Sequence, residues 1–174
     1  MIINKHIQRK VDLEFFFAQG KVNINCKSLI NKIKKGFKAE NNLNYKTNVK
    51  DKMTSFDYFK NDKEFLNILA PMIKYVDTYA NFPKYLLKDA WGFQSSTGAE
   101  TIKHDHRGNE WSGVLYLNDH EQTLDFNEIN IKIKPEPGGF ALFSSFLSHE
   151  AKQHSFSNTK FGISFNLMAI PFQV

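Results

Sequence analysis

The spacing of apolar residues changes along the chain, and the change divides it into two parts. From about residue 86 onward, short runs in which hydrophobic and polar residues alternate are separated by turn residues, which is typical of β-strands. The predicted strands cover residues 86–94, 100–104, 111–117, 124–126, 129–133, 140–146, 150–155 and 161–169. Seven or eight short strands in succession favour a β-sandwich or a β-barrel.

The pattern before residue 85 is mixed. Residues 11–17 predict a first strand, and residues 21–24 predict a short partner for it. Residues 26–37 place apolar side chains three and four positions apart, which predicts an amphipathic helix. The polar residues 38–55 lack periodicity and predict a loop.

A second amphipathic helix is predicted after this loop. Asn61 or Asp62 is expected to be its N-cap. Pro71 is expected to kink or split the helix, because proline has no backbone N–H to donate. The side chains predicted to face the core are Phe65, Leu66, Ile68, Leu69, Met72, Ile73, Val76 and Tyr79. Both helices are expected to cover the outside of a sheet.

Candidate chemistry is concentrated in the second part of the chain. His104 and His106 lie two positions apart in a β-favouring context, so their imidazoles are expected on the same face of a strand. Such a pair can bind a divalent transition metal. A third histidine, His149, follows the apolar run 139–147, and Lys160 opens the last predicted strand. The sequence thus combines two close histidines, a distant histidine and a cation.

This combination resembles the 2-oxoglutarate/Fe(II)-dependent dioxygenases, and within them the prolyl-hydroxylase-like group. The family pattern is His-x-Asp/Glu, a distant His, and an Arg or Lys shortly after it. Residues 116–118, Tyr-Leu-Asn, resemble the strand end that follows the first metal motif, and residues 135–139 resemble the Pro-x-x-Gly turn before the strand that leads to the distal His. Residues 112–117 and 143–149, together with His-x-His, are similar to a subgroup of small bacterial and phage oxygenases. The resemblance covers roughly residues 86–170.

The resemblance implies a mainly β fold with flanking helices, namely a double-stranded β-helix or jelly roll whose mouth holds the metal. It implies Fe(II) as the metal, 2-oxoglutarate as co-substrate and O₂ at the remaining coordination positions. The residues it implies are the metal ligands His104, His106 and His149 and the co-substrate-binding residues Lys160, Tyr116, Ser164 and Asn166. Lys160 is expected to bind the distal carboxylate of 2-oxoglutarate, and Asn166 is expected to line the pocket near the metal.

The reaction implied by the resemblance is the oxidative decarboxylation of 2-oxoglutarate to succinate and CO₂. It is coupled to hydroxylation of an unactivated C–H bond, in a prolyl or other amino-acid side chain of a peptide or in a free amino acid. The partners expected are therefore a small-molecule co-substrate and a peptide or amino-acid substrate.

The sequence departs from the family pattern at His106, where a neutral imidazole replaces a carboxylate and one negative charge at the metal is lost. Asp105 is expected to point to the opposite face unless the strand bulges. Glu110 supports a second interpretation, because His-x-His-x₃-Glu resembles the first motif of cupins, although the second cupin motif is not matched around His149. A third interpretation is a jelly-roll binding module that has lost catalysis, in which Lys160 stands where relatives use Arg.

Composition and charge narrow the possible classes. At 174 residues the chain is expected to form one domain, with a strand and covering helices in residues 1–84 and the jelly-roll strands in residues 85–174. Hydrophobic residues make up 41%, with 17 Phe, which excludes disorder. The single cysteine, Cys26, excludes an internal disulfide and suits a reducing compartment. With no secretory segment and no apolar run long enough to span a bilayer, we expect a soluble cytoplasmic protein without a membrane partner.

The net charge of +5 does not favour a nucleic-acid partner. Only two of the 23 Lys and Arg residues are Arg, and the lysines are spread along the chain instead of forming an Arg- and Lys-rich cluster. No base-recognition lid is evident in residues 38–55, so a nucleic-acid demethylase is not favoured. The remaining histidines His6, His120 and His154 are expected at the surface, and Trp91 and Trp111 in the core, with Trp91 near the mouth.

Overall fold

A computed structural model of the protein describes residues 14–39, 47–50, 52–78 and 85–170. Within these ranges the chain forms two helices and two antiparallel sheets. The elements are β1 (Phe17–Lys21), α1 (Cys26–Ala39), β2 (Lys52–Met53), α2 (Lys63–Asp77), β3 (Tyr85–Ser95), β4 (Thr101–His104), β5 (Trp111–Tyr116), β6 (Leu124–Phe126), β7 (Ile131–Ile133), β8 (Gly139–Ser144), β9 (His149–Ala151) and β10 (Lys160–Ala169).

The two sheets enclose a cavity between them. The larger sheet has the strand order β1-β8-β5-β10-β3-β2, and the smaller sheet has the order β4-β9-β6-β7. Strands distant in sequence are neighbours in both sheets, as the winding of a jelly roll requires. Buried residues of both sheets pack together between them, including Val114 and Phe143 from the larger sheet and Phe126 from the smaller one. The double-stranded β-helix expected from the sequence is therefore confirmed.

The second core lies on the other face of the larger sheet, where the helices pack. Leu29 and Ile33 of α1 and Phe65 of α2 contribute side chains that are almost fully buried, and Ile163 and Leu167 of β10 face them. Successive side chains of a strand point to opposite faces. Because β10 lies inside the larger sheet, it has a core on each side, and its alternate residues reach the cavity.

The start of α2 agrees with its predicted cap. Asp62 Oδ1 accepts a hydrogen bond from the Phe65 backbone N–H at 3.0 Å, which is the geometry of an N-cap. The helix then continues through Pro71 to Asp77, so of the two expected effects, a kink or a split, the split does not occur. Leu66, predicted to face inward, is 36% exposed, and Tyr79 lies outside the described residues.

Two short strands differ from the prediction. The first strand spans Phe17–Lys21 rather than residues 11–17, because pairing with β8, from Phe17 opposite Phe143 to Lys21 opposite Gly139, fixes its position; residues 11–13 lie outside the described ranges. β2 lies within the predicted loop 38–55 and pairs Met53 with Phe93. Two residues are too few to show a period of two, so this strand could not be recognised from the sequence.

The eight strands predicted after residue 85 are all present, and all but β6 have shifted ends. The largest difference is at β9, which ends at Ala151 and not at residue 155. Beyond that point the carbonyl of Lys152 accepts from the Gln122 side chain, and that of His154 accepts from the Gly98 N–H. Neither helix in the described ranges has the length and hydrophobicity that a bilayer crossing requires.

Candidate active site

Three histidines meet in the cavity between the sheets. His104 ends β4, His149 begins β9, and the two residues are direct partners in the β4–β9 pairing. His106 follows β4, and its backbone N–H donates to the carbonyl of Ser145 at 2.8 Å. The potential ligand atoms of the three imidazoles all lie within 4.8 Å of one another. The pairing of two strands thus brings together residues that are far apart in the sequence.

In two of these rings, hydrogen bonds determine which nitrogen is free to bind a metal. Nδ1 of His104 is bonded to the carbonyl of Ile102 at 2.7 Å, and Nδ1 of His149 to the carbonyl of Leu147 at 3.0 Å. A carbonyl oxygen can only accept, so Nδ1 carries the proton in both rings, and Nε2 of the neutral ring keeps its lone pair. Such a bond also fixes the ring orientation of a metal-binding histidine.

The spacing of the free nitrogens suits a shared metal ion. Nε2 of His106 and Nε2 of His149 are 3.3 Å apart. Two imidazole nitrogens bound at about 2.1 Å to one ion, with an angle between right-angled and tetrahedral, lie about 3.0–3.4 Å from each other. The donor set is purely nitrogenous, and imidazole suits Fe, Zn, Cu and Ni. The site therefore fits a divalent transition metal.

Burial keeps these three rings neutral. Desolvation, together with a smaller effect of the neighbouring imidazoles, lowers the pKa of His149 to about 3 and that of His106 to about 4. Desolvation also lowers the pKa of His104. Because the neutral ring is the form that binds a metal, protons do not compete with the metal for these nitrogens near neutral pH.

The nearby carboxylates do not join the three rings. Asp105 Oδ1 accepts from the Arg107 backbone N–H at 3.1 Å, and Asp105 Oδ2 pairs with Arg107 Nε at 3.0 Å. Among the described residues, the three histidines are the one group of potential ligands close enough to share an ion, and Glu110 is not part of it. This geometry favours the three-histidine set over the cupin-like set of His104, His106 and Glu110.

Lys160 enters the same cavity from the first position of β10. Its side chain is 3% exposed, and its Nζ donates to Gln122 Oε1 at 2.5 Å. Burial lowers the pKa of Lys160 to about 8. Among the described residues that line the cavity, none is Asp or Glu. A buried ammonium group whose partner is a neutral amide offers a binding point for an anion.

The other predicted residues divide into two groups. Tyr116 and Ser164 line the cavity together with Lys160. Tyr116 lies opposite Gly162, between Lys160 and Ser164 along β10, and desolvation raises the pKa of its phenol far above the ordinary value. Asn166 does not belong to the described lining: its Oδ1 accepts from Ser112 Oγ at 2.7 Å, and its Nδ2 donates to Asp89 Oδ2 at 3.3 Å. Ser112 itself lines the cavity.

The remaining walls of the cavity are mostly apolar. They include Trp91, Phe93, Val114, Leu124 and Phe143, and the cavity with its open mouth has a volume of about 580 Å³. Trp91, predicted in the core, is 5% exposed, and its ring centroid lies 6.4 Å from that of His106.

Sequence reasoning missed the polar residues behind Lys160. His120 and His154, predicted at the surface, are 1% and 8% exposed, and their ring centroids are 4.8 Å apart. Gln122, which bonds Lys160, is 38 positions away from it. A contact over such a separation leaves no periodic signal in a single sequence, and an isolated glutamine belongs to no motif.

Comparison with known proteins finds similar structures but no similar sequences. No protein-family model matches the chain, and no curated protein matches its sequence. A viral collagen prolyl hydroxylase from Paramecium Bursaria Chlorella virus-1, in its complex with 2-oxoglutarate, superposes with a TM-score of 0.69 at 17% identity over 88% of this chain and 96% of that chain. This chain shares the fold of that oxygenase.

Two further solved structures extend this likeness. A prolyl-4-hydroxylase from Pseudomonas putida superposes with a TM-score of 0.67 at 16% identity, over 89% of this chain and 93% of that one. HygX from Streptomyces hygroscopicus, whose structure holds nickel and 2-oxoglutarate, superposes with a TM-score of 0.66 at 10% identity. The superposition covers 91% of this chain and 83% of that one. The fold expected from the resemblance of the sequence motifs is thus found by an independent comparison.

Proposed function

We propose that the protein is a 2-oxoglutarate- and Fe(II)-dependent dioxygenase that hydroxylates an unactivated C–H bond. Its substrate is a prolyl or other amino-acid side chain in a peptide, or a free amino acid. The observation that carries the proposal is the joint presence, in one cavity of an oxygenase fold, of three neutral imidazoles within 4.8 Å and a buried ammonium group without a carboxylate neighbour in the described lining. One end of this cavity suits a metal, and the other suits an anion.

In this proposal His104, His106 and His149 hold the metal through their Nε2 atoms. The metal ion, when bound with 2-oxoglutarate and O₂, supplies the oxidising chemistry. The protein contributes fixed rings, since the Ile102 and Leu147 carbonyls hold two of the three. Because all three ligands are neutral, the ion keeps its full double charge towards a dianionic co-substrate, and their electrostatic attraction is stronger than it is with a carboxylate ligand.

Lys160, Tyr116 and Ser164 bind and orient the co-substrate. The Lys160 ammonium pairs with the distal carboxylate of 2-oxoglutarate. The Tyr116 phenol stays protonated because burial raises its pKa, so it can donate a hydrogen bond to the same carboxylate. Ser164 adds a hydroxyl donor on the same face of β10. Asn166 acts indirectly, by holding the Ser112 hydroxyl at the cavity wall.

The apolar walls give these charges a dry environment. Trp91, Phe93 and Phe143 cover the cavity and exclude water, which strengthens each electrostatic contact inside it. Exclusion of water also protects a reactive centre from side reactions.

The test is turnover of 2-oxoglutarate labelled at its 1-carboxylate. We expect the protein with Fe(II) and ascorbate to release labelled CO₂ and form succinate slowly without a primary substrate, and faster with a suitable peptide or amino acid. His104→Ala is expected to abolish the release, while Gln153→Ala, at an exposed side chain that bonds the Gly98 carbonyl, should keep it. Absence of both turnover and binding of 2-oxoglutarate in the wild-type protein would contradict the proposal.

The pKa of Lys160 gives a second test, because only the ammonium form binds the carboxylate. With a pKa of about 8, the unliganded protein holds the charged form below pH 8 and loses it above. We expect the affinity of the Ni(II)-loaded protein for 2-oxoglutarate to be constant from pH 6.5 to 7.5 and to fall about tenfold per pH unit above pH 8. Calorimetric titration across this range measures it.

Lys160→Arg is the control for this pH dependence. Guanidinium stays charged throughout the range, so the fall above pH 8 should disappear even if the affinity itself is lower. A wild-type affinity that is flat to pH 9.5, or a fall that persists in Lys160→Arg, would show that another group titrates.

A second candidate function is that of a jelly-roll binding module without catalysis. It is favoured by the all-imidazole ligand set, which lacks the carboxylate of the usual pattern, and by a lysine at the anion-binding position. This candidate predicts binding of 2-oxoglutarate to the metal-loaded protein with no CO₂ release under any condition, so the turnover assay separates the two functions.

A further inference from the structure

The buried side-chain amide of Gln122 bonds Lys160 of the proposed site and two backbone carbonyls next to β4 and β9. It lies between β5 and β6 and is 4% exposed. Its Oε1 accepts from Lys160 Nζ at 2.5 Å, while its Nε2 donates to the Ala99 carbonyl at 3.1 Å and to the Lys152 carbonyl at 2.8 Å. Every polar atom of this side chain therefore has a partner within the protein.

These partners fix the orientation of the amide. An ammonium group can only donate, so the oxygen of Gln122 must face Lys160, and carbonyls can only accept, so the NH₂ group must face Ala99 and Lys152. In the reversed orientation, the NH₂ group of the amide would face the Lys160 ammonium group, and the amide oxygen would face the two carbonyl oxygens. Buried polar groups left in that state would each cost the free energy of desolvation without compensation.

The two carbonyls adjoin the strands that carry metal-binding histidines. Ala99 lies two residues before β4, which ends at His104. Lys152 directly follows β9, which begins at His149. Because Lys160 opens β10 in the other sheet, the Gln122 amide joins the ammonium group to both histidine-bearing strands. It thereby ties the position of the ammonium group to that of the three imidazoles.

The backbone around Gln122 is fastened to the start of β10. The Gln122 N–H donates to His120 Nδ1 at 2.9 Å, so the neutral His120 ring carries its proton on Nε2 and donates it to the Asn158 carbonyl at 3.2 Å. Asn118 Oδ1 accepts from the Phe161 N–H at 2.8 Å. The segment from Asn118 to Gln122 is thus held against the strand that carries Lys160.

A lysine needs such a partner more than an arginine does. Its ammonium group is a point charge on a flexible four-carbon chain, whereas guanidinium brings a rigid fork that fixes its own geometry towards a carboxylate. In the described structure Lys160 has Gln122 as its hydrogen-bond partner. The position of the charge within the cavity is therefore determined by Gln122.

We propose that Gln122 is a positioning residue that sets the distance between the metal end and the ammonium end of the cavity, and with it the length of dicarboxylate that the site accepts. This inference rests on the proposed function, since it takes 2-oxoglutarate to span the two ends. A diacid one carbon shorter or longer cannot satisfy both ends at a fixed spacing. When Gln122 is replaced, the ammonium group can move, and the selection by length is lost.

The experiment compares three 2-oxo diacids that differ by one carbon each: oxaloacetate, 2-oxoglutarate and 2-oxoadipate. Their dissociation constants are measured by calorimetry on Ni(II)-loaded protein without O₂, for wild type, Gln122→Met and Gln122→Glu. We expect the wild type to prefer 2-oxoglutarate by about tenfold or more, and Gln122→Met to reduce this preference to about twofold, because its side chain has similar volume and bonds neither Lys160 nor the carbonyls. In Gln122→Glu a carboxylate competes with the co-substrate for Lys160, so all three diacids should bind about a hundredfold more weakly.

Matched controls separate positioning from stability. Gln153→Met removes a solvent-exposed amide that bonds the Gly98 carbonyl, and it should keep both affinity and length preference. Ni(II) affinity should be unchanged in every variant, because the imidazoles are intact, and thermal melting reports any loss of structure. If Gln122→Met does not fold, Gln122→Asn carries the test, since it keeps a polar amide but its shorter side chain cannot reach both Lys160 and the two carbonyls, so the length preference should again be lost.

The outcomes distinguish this inference from the proposed function. A wild type that binds 2-oxoglutarate together with a Gln122→Met variant of unchanged length preference, or a Gln122→Glu variant of unchanged affinity, would overturn the positioning role and leave the function standing. A wild type that binds Ni(II) but none of the three diacids would overturn the proposed function itself, and the positioning role with it. A selective loss of length preference supports both.

Discussion

Replacing His149 by alanine is expected to lower the affinity of the protein for Fe(II) or Ni(II) by about a thousandfold. Structural zinc sites in zinc-finger peptides, with four protein ligands, bind with about 10–16 kcal/mol, so one ligand accounts for up to about 4 kcal/mol, which is a factor of about a thousand. His149 presents an Nε2 whose lone pair is fixed by the Leu147 carbonyl, 3.3 Å from Nε2 of His106. Competition with a chromophoric chelator measures the change.

His154→Ala is the matched control for this substitution. Both histidines are buried and pack against phenylalanine rings, His149 against Phe126 and Phe143, and His154 against Phe156. Removal of either ring leaves a void and should lower the free energy of unfolding by a similar amount. His154 is not in the group of potential ligands, so its loss should leave the metal affinity unchanged. Equal losses of affinity in the two variants would contradict the three-histidine site.

The three histidines of the candidate metal site could be singled out because their signal is local. His104 and His106 form a short motif, and His149 follows a recognisable apolar strand, so each could be found without knowing the fold. What the sequence could not supply was their convergence, which depends on the pairing of His104 with His149 across β4 and β9. Paired strands can be any number of residues apart in the sequence, and a single sequence does not show which strands pair.

The polar residues around Lys160, in contrast, could not be found from the sequence. An isolated glutamine and two isolated histidines carry no pattern, and polar residues are placed at the surface by default. Gln122, His120 and His154 are nevertheless buried, and Gln122 and His120 are bonded to groups far away in the chain. The burial of Gln122 and His120 is explained by hydrogen bonds that form only after the two sheets have closed, so it could be recognised only in the structure.

The bounds of the strands show the same difference between features with a local sequence signal and features that depend on pairing in the fold. β5 and β10 lie inside the larger sheet, and their long apolar runs located them within a residue of the prediction at each end. β1 lies at the edge of that sheet, and its partner β8 determines where it begins. The apolar runs of β5 and β10 therefore located these two strands well, whereas the position of β1 depends on a pairing partner that the sequence alone does not reveal.

Replacing Lys160 by methionine is expected to weaken binding of 2-oxoglutarate to the metal-loaded protein by about a hundredfold. Loss of one partner of a buried charge pair costs about 2–5 kcal/mol, and the lower half of that range corresponds to a factor of about 30–300. Calorimetry on the Ni(II)-loaded protein measures the change. Lys74→Met, at an exposed lysine of α2, should leave the affinity unchanged. An unchanged affinity in Lys160→Met would show that the carboxylate binds elsewhere.

The same substitution should not destabilise the unliganded protein, and this distinguishes a binding role from a structural one. Burial lowers the pKa of Lys160 from 10.5 to about 8. A lysine whose pKa is depressed in the fold costs stability at every pH below its folded value, here about 3 kcal/mol, and the cost decreases as the pH rises from 8 to 10.5. Methionine removes this cost but leaves Gln122 Oε1 without its donor, at about 1–3 kcal/mol. The two nearly cancel, so we expect a melting temperature at pH 7 close to that of the wild type. Burial of Lys160 therefore lowers the stability of the unliganded protein, while its charge is required for binding. This combination indicates a binding role rather than a structural one.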